Sequence, residues 1–148
     1  MIKHTAILLL LALVQGFTPA RADMSVFACE PEWAALAKHI GGDVVSVFSA
    51  TTAQQDPHFI QARPSLIARV RKSQLVFCSG AGLEVGWLPL LLRKSGQGHL
   101  QPGNPGYLMA TDFVRLKDKP VRIDRSQGDL HGAGNPHIHT HPRNIIPV

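Results

Sequence analysis

The sequence predicts an α/β fold, an open and mainly parallel four-stranded sheet with helices on both faces. Three observations point there. Short apolar runs recur at 25–29, 44–48 and 75–78, each about as long as a strand buried on both sides. The segments between them carry apolar residues every three to four positions, as one face of a helix does. Glycine and proline punctuate the joins. Strand alternating with helix in this way is the pattern of parallel sheets.

The first 22 residues stand apart from that pattern. Lys3 and His4 precede an apolar run from Ala6 to Val14, and Ala20-Arg21-Ala22 supplies a small-x-small cleavage pattern. This reads as a secretory signal peptide with Asp23 as the mature N-terminus, the run being shorter than the roughly 20 apolar residues of a spanning helix. A retained signal anchor is the alternative. Removing the segment leaves 126 residues, enough for one modest domain, and lowers the formal charge from +5 to +3. The expected location is outside the cytoplasm.

In chain order, the run at 25–29 is a strand, and Glu30-Pro31 opens a helix with proline in its first turn. Trp33, Leu36, Ala37 and Ile40 give that helix its apolar face, and Gly41-Gly42 stops it. The second strand, 44–48, leads through a polar loop to Asp56-Pro57-His58, and a helix is expected over 64–72. The third strand, 75–78, enters a tight turn at Ser79-Gly80-Ala81-Gly82. A third helix is expected from about Leu83 to Lys94, with Pro89 kinking or splitting it. Residues 96–106 are loop, either 107–110 or 113–116 supplies a fourth strand, and 117–134 is irregular.

Cys29 and Cys78 each end an apolar run. In an oxidising compartment an even count permits one disulfide, which the two form if their strands are neighbours; two buried free thiols are the other reading. The basic residues at 63, 69, 71, 72, 93 and 94 lack the interleaved aromatics of a single-strand binding platform, so a nucleic-acid role is not expected.

The most distinctive stretch is Asn135-Pro136-His137-Ile138-His139-Thr140-His141-Pro142, preceded by His131. Neutral imidazole is a common ligand for zinc-like ions. If the stretch is extended, alternation puts His137, His139 and His141 on one face. The plainer reading is a solvated His-rich tract that meets metal only incidentally. His58 falls in a loop at the carboxyl edge of the predicted sheet, where ligands of such folds bind, and Asp56 could orient its ring. No serine sits in a GxSxG elbow, and Cys78 ends a buried strand, so nucleophilic catalysis finds no support. A metal-assisted hydrolase would need a carboxylate base, for which Glu84 and Asp129 are available without any spacing to recommend them.

Three stretches taken together resemble the zinc and manganese substrate-binding proteins of ABC metal-uptake transporters. They are Asp56-Pro57-His58 followed by Arg63-Pro64-Ser65, the run from Leu75 to Glu84, and Asn135-Pro136-His137-Ile138 leading to His141-Pro142-Arg143-Asn144. The resemblance implies a two-lobed receptor with one ion held between the lobes. It implies His58 as the first ligand and His137 as the second, with His131, His139 and His141 as accessory candidates. Residues 23–142 would be the N-terminal β/α metal-binding lobe and 143–148 the start of a truncated linking helix, without the second lobe's ligands.

The function so implied is non-enzymatic: binding a metal ion, zinc first and manganese as the alternative, for an inner-membrane ABC permease, by a monomeric protein. Two other readings stand beside it, a secreted degenerate fragment without useful metal binding and a small metal-dependent periplasmic hydrolase.

Overall fold

The computed structural model describes residues 24–124, 126, 128 and 130–148, so the signal peptide expected over 1–22, Asp23 and Asp129 lie outside the described residues. In chain order it comprises β1 (Met24–Ala28), α1 (Pro31–Gly41), β2 (Val45–Ser49), α2 (Pro64–Arg71), β3 (Leu75–Cys78), α3 (Leu88–Ser95) and β4 (Tyr107–Met109). The strands form one sheet in the order β2-β1-β3-β4, and every pairing is parallel. This is the predicted architecture. Among the described residues no helix is long and apolar enough to cross a membrane.

Side-chain alternation along the strands builds a core on each face. Phe27, Val76 and Cys78 turn toward α2 and α3, where they meet Leu66, Val70, Trp87, Leu88, Leu91 and Leu92. Val26, Ala28 and Phe77 turn the other way onto Trp33 of α1 and Ile138 of the C-terminal segment. The basic residues of α2 serve the fold: Arg71 donates to the carbonyls of Lys94 and Ser95 at the end of α3, and the Arg69 guanidinium lies 4.8 Å from the Phe48 ring centre.

The structure departs from the sequence-based expectation at α3 and at the C-terminal segment, and it settles the position of the fourth strand. Helix α3 starts at Leu88, not near Leu83. Residues 83–87 are turns, because Glu84 folds its carboxylate back onto the N–H groups of Ser79 and Gly80 and Leu83 bonds the Gly80 carbonyl. Pro89 then falls in the first helical turn, where its missing N–H costs nothing. The fourth strand is at Tyr107–Met109, and the alternative run at 113–116 is not a strand. Residues 142–144 form a 3₁₀ turn followed by further turn residues where a helix was expected. Pro147 brings a ring and no N–H where a helix would continue, and it disfavours the helical region for Ile146 before it.

Candidate metal centre

The His58 turn is built from its own sequence. Asp56 precedes the 3₁₀ turn Pro57–Phe59, and its Oδ1 accepts the His58 N–H at 2.9 Å while lying 2.6 Å from His58 Nδ1. Those two contacts hold the Asp56 carboxyl below its ordinary range. An ionised Asp56 takes the proton of His58 on Nδ1 and leaves the lone pair on Nε2, the orientation a metal ligand needs.

The segment before α3 props the turn from beneath. The buried Trp87 donates Nε1–H to the Pro57 carbonyl at 2.8 Å, and a Cβ added at Gly86 would lie 3.4 Å from the His58 carbonyl. Trp87→Phe keeps most of the apolar packing but leaves Pro57 without that donor. It is expected to cost about 1–3 kcal/mol of stability and to weaken zinc binding at His58. Equal zinc titrations of variant and parent would show that Trp87 does not position the turn.

Four imidazoles run side by side away from this point. His58 Nε2 lies 3.0 Å from His131 Nε2, and the two rings stack with centres 5.0 Å apart. His137 stands edge-on to His131 at 6.4 Å, and His139 edge-on to His137 at 6.1 Å. His58, His131 and His137 line one open cavity of about 360 Å³, together with Asp118 and Asn135.

The histidine stretch is not extended, so the alternation that would put His137, His139 and His141 on one face does not arise. Ile138 is only 6% exposed, and its burial in the α1-side core pulls Ile138–Thr140 into a 3₁₀ turn. Asn135 Oδ1 accepts the His137 N–H, and the Thr140 hydroxyl donates to the His137 carbonyl. His139 consequently faces α1, with Nδ1 3.0 Å from Glu32 Oε1 and its ring edge-on to Trp33. Nδ1 makes no hydrogen bond there. His141 points elsewhere again, its Nδ1 accepting the Arg143 N–H at 3.2 Å to cap the following turn.

A second polar cluster, not foreseen from the sequence beyond Glu84, lies where β1 and β3 end. Cys29 and Cys78 form a disulfide with Cα atoms 4.8 Å apart, which settles the open choice between bridge and free thiols. Glu30 and Glu84, each only 3% exposed, converge on Ser79: Glu30 Oε2 accepts from its N–H and its hydroxyl, and Glu84 Oε1 accepts from the same N–H. Burial raises the Glu30 carboxyl to about 9, the charge of Glu84 adding to the effect, and burial raises Glu84 as well.

Glu30 was legible only as a helix start; the signal missed was an acid placed directly after a run buried on both faces. Among the described residues, Cys29, Cys78 and Glu84 are the group with three potential donor atoms within 4.8 Å of one another, but the bridged sulfurs offer no thiolate. No three of the described histidines come that close to one another.

A model of the family described as zinc-uptake complex component A, periplasmic, matches residues 26–148. The manganese ABC transporter substrate-binding lipoprotein of Streptococcus pneumoniae is 28% identical over 84 residues, which are 55% of this chain and 26% of that protein. A manganese-bound periplasmic metal-binding protein from Candidatus Liberibacter asiaticus superposes with a TM-score of 0.59 at 20% identity, over 82% of this chain and 40% of the other. A zinc-uptake component A crystal structure gives 0.59 at 20% identity, over 82% and 43%. The chain thus spans about a quarter of that curated relative and about two-fifths of those solved chains.

Proposed function

Because the chain belongs to the family of periplasmic zinc-uptake components A, we propose that it binds a divalent metal ion, zinc first, as the receptor part of an ABC uptake transporter. His58 and His137 are the ligands, the ion is cargo, and the partner is an inner-membrane permease. The protein acts in the periplasm as a monomer, with residues 23–142 as its metal-binding lobe.

The observation that carries this reading is the Asp56–His58 pair, whose carboxylate fixes the imidazole with Nε2 outward, in a cavity shared with His137. A borderline ion such as zinc suits imidazole nitrogen, while manganese favours sites richer in carboxylate. A relative named for manganese keeps that ion as the runner-up.

Metal-assisted hydrolysis gains nothing from the geometry. Glu84 is buried and engaged with backbone N–H groups, and it does not line the histidine cavity.

Calorimetric titration with Zn²⁺ tests the reading. The double variant His58→Ala, His137→Ala is expected to abolish the one-equivalent isotherm. Asp56→Ala should weaken it on the order of 10–100-fold, as loss of a carboxylate behind a ligand does. An isotherm untouched by the double substitution would remove both histidines from the site, and a larger enthalpic response to Mn²⁺ than to Zn²⁺ would move the assignment to manganese.

A further inference from the structure

We infer that His131 is a metal ligand in its own right, so that this chain presents three imidazoles to the ion, His58, His131 and His137. The inference rests on the metal-binding reading above and adds a donor to it.

The first argument is the spacing. Two nitrogens bound tetrahedrally to zinc at 2.0–2.1 Å lie about 3.3–3.4 Å apart, and their ring centres about 5 Å apart. His58 and His131 already stand at 3.0 Å and 5.0 Å. An ion entering between them needs the nitrogens to part by only a few tenths of an ångström. His137, with its ring centre 6.4 Å from that of His131, closes by about an ångström.

The second argument is the protons. Asp56 holds the His58 proton on Nδ1, so in the short Nε2–Nε2 contact His131 is the donor and His58 the acceptor. One proton occupies the position an ion would take. On metal entry His131 gives up that proton to solvent, which frees its Nε2 lone pair for the ion.

The third argument is how the loop is held. The Gly134 N–H bonds the His131 carbonyl at 3.0 Å, and the Asn135 N–H bonds the Lys117 carbonyl at 2.9 Å. Gly134 sits at φ +118, and a Cβ there would come within 2.7 Å of the Lys117 carbonyl and 2.8 Å of Leu116 Cβ. Pro136 is fully buried. His131 and His137 are therefore displayed from one pinned segment, while His139 is turned to Glu32 and His141 caps a turn.

Long-range ¹H–¹⁵N correlation spectra of the histidine rings, recorded as Zn²⁺ is added to the whole chain, test this residue by residue. At one equivalent the Nε2 resonances of His58 and His131 and one ring nitrogen of His137 are expected to move together to the metal-bound position. His131→Ala should weaken zinc binding at least tenfold by calorimetry, and the exposed control His39→Ala should leave it unchanged. Movement of His58 and His137 without His131 overturns the inference and leaves the two-ligand reading intact. If none of the three moves, both fall. A His131→Ala chain that fails to fold does not blunt the test, because the spectra of the unaltered protein decide it.

Discussion

Replacing Cys29 and Cys78 together by alanine is expected to lower the unfolding free energy by about 4 kcal/mol. The bridge joins residues 49 apart in sequence, and the chain-entropy estimate for a closed loop of that length gives this figure. The enclosed segment contains α1, β2 and α2, so the unbridged chain must find the β1–β3 pairing without help across nearly the whole first half of the fold. For a domain of this size such a loss lowers the melting temperature by roughly 15 °C. Urea denaturation of the parent, the reduced parent and the double variant provides the measurement. A change under about 1 kcal/mol would mean that the bridge restrains a denatured chain already held compact by other contacts.

The second large effect concerns pH. Glu30, held in the fold near 9, has an ordinary value near 4.5. A folded value above the unfolded one favours the native state fully below about pH 4.5. That contribution declines as pH rises and is gone once pH passes about 9. The metal-free protein, melted with a chelator present, is therefore expected to be more stable at pH 5 than at pH 8.

Glu30→Gln keeps an acceptor for the Ser79 donors without the charge, so it should remove most of that slope and raise stability at pH 8. Glu84 shifts in the same direction and leaves a remainder. Equal slopes in parent and variant would show that Glu30 titrates as an ordinary carboxyl. Zinc opposes the trend, since imidazoles bind metal only when neutral and bound ligand stabilises the fold.

How much of this could be read beforehand depends on whether a feature is local. β1, β2 and β3 were legible because each is a short, nearly continuous apolar run, and α1 and α2 because proline opens each of them. The start of α3 was not legible, because Glu84 bonds backward to Ser79 and Gly80 and holds 83–87 in turns. The turn in the histidine tract was not legible, because nothing local says that Ile138 belongs to the core; once it is buried, the rings on either side diverge. The contact of His58 with His131 spans 73 positions, and only the packed fold brings the two together. The disulfide likewise needed the strand order, which makes β1 and β3 neighbours.

In parallel sheets the crevice at the crossover between neighbouring strands is the usual seat of a ligand. Here the ends of β1 and β3 are closed by the disulfide and the Glu30–Ser79–Glu84 cluster, and the imidazoles stand on loops beyond them. The sheet's seam and the imidazoles therefore depend on different residues: a substitution at His58, His131 or His137 removes none of the bonds that close the ends of β1 and β3.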